Sequence, residues 1–174
     1  SLSGLVGTET LGFGTLVGAF VDTNVGVDKT VNVSGANLVS AGAGATAGLA
    51  SNYTLSAPSS VTANITQATI ASVAGITAGN KVYDGGTTAS LNTTGATFSG
   101  KVAGDVLAVA AASGNFSDKN AALGKTVNIS GIALSGADAG NYLLGTNTAT
   151  ALADITAAAL TIKANDTTRV AGQA

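Results

Sequence analysis

The stretch Lys125-Thr126-Val127-Asn128-Ile129-Ser130-Gly131 alternates apolar and polar residues, with Val127 and Ile129 on one parity and Asn128 and Ser130 on the other. A period of two marks a strand with one face in a core and the other in water. The same pattern stands earlier as Lys29-Thr30-Val31-Asn32-Val33-Ser34-Gly35, at an offset of 96. Its recurrence in the same phase favours strand over helix and predicts an all-β chain.

Working outward from this stretch, residues 3–40 face residues 99–136 without a gap: Ser3/Ser99, Gly4/Gly100, Val6/Val102, Leu11/Leu107, Gly18/Gly114, Phe20/Phe116, Asp22/Asp118 and Asn24/Asn120. Further on, Asn52-Tyr53 matches Asn141-Tyr142 at an offset of 89, and Ala63-Asn64-Ile65-Thr66 matches Ala153-Asp154-Ile155-Thr156 at 90. The register slips chiefly within residues 41–51, a run of Gly and Ala that the second copy shortens to Ala137-Asp138-Ala139-Gly140. Small residues at an insertion predict a solvent-exposed tip.

A period of about 90 residues indicates repeated domains rather than the short coils of a β-solenoid. The expected organisation is a copy without its first part over residues 1–69, a complete copy over 70–158, and the opening of another over 159–174. Arg169-Val170 stands where Lys81-Val82 stood, whereas the first-copy counterpart of Lys81-Val82-Tyr83 would precede residue 1. The missing initiator Met fits a fragment of a longer array. Between copies, the runs from Gln67 and from Ala157 contain neither Pro nor Gly for several residues, which predicts a short, stiff junction.

Composition narrows the function classes. Charged residues make up 9% of the 174, against roughly 25% in ordinary soluble domains. With a net charge of -2 and no basic cluster, the chain lacks the electrostatic footprint of a nucleic-acid binder. Mean hydropathy is +0.42, but Ala supplies much of it and no apolar run approaches the ~20 residues of a spanning helix. No membrane insertion by these residues is expected, and no signal segment is visible. Cysteine is absent, which removes disulfides and thiolate metal sites. Aromatic residues are only 4%, so Val, Ile, Leu and Ala must form the core around four Phe and three Tyr.

Turns rich in Gly, Asn and Asp punctuate short alternating runs, the pattern of antiparallel all-β domains. The fold expected is tandem antiparallel β-sandwich-like units of Ig-like proportions. The alternative is a β-grasp-like unit with a short helix at residues 106–112 or 139–144. Residues 106–112 read as strand, because Gly12 and Gly14 stand at the positions of Ala108 and Ala110. Residues 151–160 are Ala-rich and open to either reading.

The run Lys81-Val82-Tyr83-Asp84-Gly85-Gly86-Thr87-Thr88, together with Gly114-Asn115-Phe116, Lys125-Thr126-Val127 and Asp138-Ala139-Gly140-Asn141-Tyr142, resembles the YDG-type repeat of large bacterial surface adhesins of the filamentous haemagglutinin-like class. The C-terminal run from Ala164 to Gln173 is similar to the start of the MBG-type repeats of the same proteins, with Ala171 where that pattern places tyrosine. The resemblance implies secretion across a bacterial envelope, localisation at the cell surface, and tandem repeats in a stalk. It implies no receptor.

Catalytic constellations are scarce. Without His, neither a Ser-His-Asp triad nor a histidine-ligated metal site can form, and Glu9 and the aspartates are scattered singly. No enzyme is expected. Asp118 with Asn120, and Asp138 with Asn141, are the candidate calcium ligands, set against turn and cap hydrogen bonding. Tyr83, Asp84 and Gly85 form the sharpest motif: either an exposed Tyr–Asp pair for a sugar, or a Tyr packed under a hairpin whose turn Asp84 sets. Phe20 and Phe116, each two residues after a Gly, and Tyr53 and Tyr142 read as repeated core anchors. The glycine-rich loop lacks the P-loop lysine. The leading function is a stalk or spacer whose partners are neighbouring repeats. The alternatives are a module that binds extracellular polysaccharide or a neighbouring cell surface, and a self-associating repeat with strand edges poor in charge.

Overall fold

The computed structural model describes residues 2–41, 44, 46–56, 60–166, 168–169 and 171–172. Parts of the expected tip (Gly42, Ala43, Ala45) and of the expected third-copy opening (Thr167, Val170, Gln173, Ala174) lie outside them. The chain divides into two compact units, Ser1–Ala68 and Thr69–Ala174. It is all-β, and among the described residues no helix is long and apolar enough to cross a membrane.

The first unit contains β1 (Leu11–Phe13), β2 (Val17–Phe20), β3 (Gly26–Ser34), β4 (Leu38–Ser40) and β5 (Ser60–Ile65). An antiparallel sheet runs in the order β2-β3-β5, and β1 pairs with β4. The base of the Gly/Ala tip is closed by Ala41 N–H to Gly48 O at 3.2 Å and Gly48 N–H to Thr10 O at 3.0 Å.

At the unit boundary begins β6 (Ala68–Ile70), followed by β7 (Ser72–Ala74), β8 (Thr77–Ala78), β9 (Lys81–Val82), β10 (Thr88–Ala89), β11 (Leu91–Asn92) and β12 (Thr97–Ser99). The long strands then follow: β13 (Ala108–Phe116), β14 (Ala122–Ser135), β15 (Tyr142–Leu144) and β16 (Ala149–Thr156). A five-stranded sheet has the order β10-β13-β14-β16-β9, and three short ladders pair β6 with β15, β7 with β12, and β8 with β11. Ile70, Val73 and Ile76 from the short-ladder segments join Phe116, Val127, Ile129 and Ile155 of the large sheet in one apolar cluster.

The antiparallel pattern is broken at the isolated parallel bridge between Thr10 and Ala47, and where β9 joins β16 in parallel, Ile155 facing Lys81. The two strands are far apart in the chain, so no tight turn constrains their direction. Residues 108–112 lie within β13 and 149–156 form β16, while the second candidate helix shrinks to a single 3-10 turn, Ala139–Asn141.

In β14 the alternation of the opening stretch is kept and then shifted. Val127 and Ile129 are buried, but so is Ile132 rather than Gly131. The ladder to β13 shifts between Ser113↔Ser130 and Ala111↔Ala133, and Gly131 there has φ 66. A bulge with a left-handed glycine inserts one residue and restores the inward parity. Gly35, with φ 76, holds the same place in the first unit.

Among the described residues, every buried hydrophobic side chain of the core belongs to the second unit. Phe116 is 3% exposed whereas its counterpart Phe20 is 41% exposed. The expectation that both rings are buried therefore fails for Phe20, over which none of the described strands closes as β6 to β11 close over Phe116. Nor do the preceding glycines mark bends, since Gly18 lies inside β2 and Gly114 inside β13. A Cβ on Gly114 would sit 2.7 Å from the Leu91 Cδ2 atom, so its role is to let the β11 side chain reach the sheet.

Candidate functional site

The turn after β9 builds the first polar cluster. Asp84 Oδ1 accepts from the Gly86 N–H at 2.9 Å and from the Lys81 ammonium at 2.7 Å. That ammonium also donates to the carbonyls of Gly86 at 3.0 Å and Thr88 at 3.2 Å. Lys81 lies 5.8 Å from the centre of the Phe116 ring, within cation–π range. The Lys81 ammonium, aided by the Gly86 N–H, holds the Asp84 carboxyl below the usual carboxylate range. Gly85 sits at the corner with φ 81. Tyr83 bonds through its backbone N–H to Thr156 O at 2.8 Å, and 39% of the residue is exposed. Tyr83 is thus exposed rather than buried under the hairpin, while Asp84 sets the turn.

The second cluster occurs twice. Tyr142 donates its hydroxyl hydrogen to Asp105 Oδ2 at 2.5 Å and accepts the Val102 N–H at 2.9 Å. Tyr53 does the same with Glu9 Oε2 at 2.6 Å and the Val6 N–H at 3.0 Å. Each hydroxyl thus clasps a loop that precedes the first long hairpin. The adjacent carboxylate raises both phenols above their ordinary value, Asp105 acting on Tyr142 and Glu9 on Tyr53. Tyr142 is buried, and Tyr53 is half-buried.

The third cluster also recurs. Asp118 Oδ1 accepts from Lys125 Nζ at 2.7 Å and from the Asn120 N–H at 2.8 Å. Asp22 is likewise bonded by Lys29 and by the Asn24 N–H. The lysine is the leading cause that lowers each aspartate below the usual range. A stem largely covered by the sheet carries the Lys125 cation to the loop. Of the other calcium candidates, Asp138 Oδ2 accepts from the Val106 N–H at 2.7 Å, and the Asn141 N–H bonds the Asp138 carbonyl at 2.9 Å. Among the described residues, no group of three or more His, Cys, Asp or Glu side chains is arranged to hold a metal ion.

A fourth arrangement escaped the sequence reading. Asp154 bonds Asn80 through its backbone N–H at 2.7 Å and its Oδ2 at 3.2 Å, and accepts the Gly124 N–H at 2.7 Å. In the first unit, Asn64 accepts the Asp28 N–H at 2.8 Å. The ladder is irregular at both places, where Gly124 has φ 61 and Asp28 has φ 50. The detectable signal lay in joint recurrence: Lys29/Lys125 repeat with Asp22/Asp118, and Tyr53/Tyr142 repeat with Glu9/Asp105.

Two recesses differ in kind. One is an open groove of about 590 Å³ beside β10 and β13. The other is a cavity of about 500 Å³ in the first unit, lined chiefly by leucines with Phe13, Val33 and Tyr53.

A model of the YDG domain family matches residues 1–63 and again residues 66–151. No curated protein and no solved structure matches the chain.

Proposed function

We propose that this chain, which belongs to the YDG domain family, is structural spacer material. It would consist of tandem repeats of a secreted bacterial cell-surface adhesin, holding an adhesive part away from the cell and supporting adhesion or biofilm formation. The supporting observation is that the polar groups common to both units bind one another. Tyrosine bonds a carboxylate and a loop amide, and lysine bonds an aspartate. Such clusters fix loops to a scaffold, and neither contains the nucleophile and base of an active site. The proposed partners are neighbouring repeats, and the reaction class is none.

The test is substitution by length. Replacing the chain within its parent polypeptide by unrelated β-domains of equal length should preserve adhesion, while deleting it should shorten the stalk in electron micrographs. Loss of adhesion after the equal-length replacement would overturn the spacer reading.

Exposed Tyr83 beside Asp84 favours a second reading, a module that contacts extracellular polysaccharide. Binding on a glycan array that Tyr83→Ala abolishes would establish it. Calcium is proposed to have no structural part, since lysine neutralises Asp118. Chelation should leave the melting temperature within about 1 °C, whereas a site filled at 100 times its dissociation constant would add about 2.7 kcal/mol.

A further inference from the structure

The tripeptide Asn-x-Ser/Thr, the acceptor signature for N-linked sugars, occurs at seven asparagines of the chain. They are not chemically equivalent. Attachment uses the side-chain amide nitrogen as nucleophile, and that nitrogen is a poor one because its lone pair is shared with the carbonyl. Donors on the amide oxygen draw charge from the carbonyl and favour loss of the N–H proton. The hydroxyl of the signature supplies such a donor only where it reaches the asparagine side chain. Along a strand the two residues stand about 7 Å apart, and a turn shortens that span.

Four of the seven, Asn32, Asn64, Asn115 and Asn128, lie in strands. Among the described residues none of these bonds the hydroxyl two residues on, and Asn64 Oδ1 is taken by the Asp28 N–H at 2.8 Å. Asn52 ends the 3-10 turn before Tyr53 and makes no bond to the Thr54 hydroxyl. For Asn165, the third residue, Thr167, lies outside the described residues.

Asn92 differs. It ends β11, and in the turn from β11 to β12 its Oδ1 accepts the Thr94 N–H at 3.0 Å and also the Thr94 hydroxyl. Both donors therefore sit on the amide oxygen, while Nδ2 bonds nothing among the described residues. The Ala96 N–H closes the turn on Thr93 O at 3.0 Å, and Leu91 and Phe98 on its two sides pack against the core. The turn is thus held in shape from both strands, with Asn92 and Thr94 exposed. Thr93 borders the open groove beside β10 and β13, which no charged side chain lines among the described residues. An incoming phosphorylated donor meets no repelling carboxylate there.

We infer that Asn92 is an N-glycosylation acceptor primed by Thr94, and that the donor is a sugar carrying a phosphate or pyrophosphate ester at C1. Asn92 Nδ2 attacks C1 and the bond from C1 to the ester oxygen breaks. The phosphate leaves with the bonding pair, and the Nδ2 proton passes to a base of the transferring enzyme. The inference is independent of the spacer reading, because a sugar on Asn92 is detected by mass whether or not the chain acts by its length.

The experiment is mass spectrometry of the chain isolated from its native cells. Trypsin cuts after Lys81 and Lys101, so the peptide of residues 82–101 contains Asn92 and no other signature. It should carry the added mass of a sugar, placed on Asn92 by electron-transfer fragmentation. A single added sugar marks a nucleotide-linked donor, and a preassembled oligosaccharide marks a lipid-linked one. Thr94→Ala should lower occupancy at least tenfold, and Thr94→Ser should retain it. The proposal fails if the peptide of residues 82–101 is unmodified, if the added mass sits on a threonine, or if it survives Thr94→Ala. It also fails if Asn115 and Asn128 are modified while Asn92 is not.

Discussion

At the residue scale, the chain relies on charge pairs placed at turns. Asp84 and Asp118 are held below the ordinary carboxylate range by Lys81 and Lys125. A carboxyl depressed by folding contributes stability that is complete above its unfolded value near 3.8 and is lost as pH falls through the lower folded value. The stability that these two pairs add should therefore be lost below about pH 4, and Asp84→Asn with Asp118→Asn should flatten that acid limb in circular-dichroism melts. Tyr142 behaves in the opposite sense: its raised phenol favours the neutral form, so its contribution persists below pH 10 and fades as pH rises further. Asp28, a non-glycine residue at φ 50, stands where the second unit has Gly124. Asp28→Gly should stabilise the first unit by roughly 0.5 to 1 kcal/mol, read from its denaturant midpoint.

At the element scale, equivalent strands have different energetic weight. Ile129 is buried in β14 while Val33, its counterpart in β3, is only half-buried. Ile129→Ala should cost about 2 to 5 kcal/mol, and Val33→Ala under ~1.5 kcal/mol, each measured on its own unit's unfolding transition. The strand character of β3 and β14 was legible because apolar residues alternate through them. The bulge at Gly131 was not: a strict period of two would have placed Gly131 and Ala133 inward, and only the ladder to β13 reveals that the phase advances to Ile132. Tyr53 and Tyr142 were legible as anchors from their recurrence. Their carboxylate partners were visible as recurring residues but not as partners, since Glu9 and Asp105 meet the phenols only after the chain folds back.

At the scale of the whole molecule, the two units contain similar residues and differ in how much of the core is supplied. Because burial of apolar area dominates stability, the first unit should unfold first. Calorimetry should resolve two transitions, and limited proteolysis should cut before residue 69 ahead of any cut within residues 70–156. A single cooperative transition would contradict this ordering. The sequence by itself determined the all-β class, the internal repeat and the lack of histidine and cysteine side chains, because periodicity and composition are local properties of the chain. Only the tertiary structure decided which repeated side chains are inside. Phe20 and Phe116 share a motif, yet Phe116 is buried, in a cluster with Ile70, Val73 and Ile76 from more than twenty residues upstream, while Phe20 is exposed. Burial depends on what packs across the core, and no local pattern carries that information.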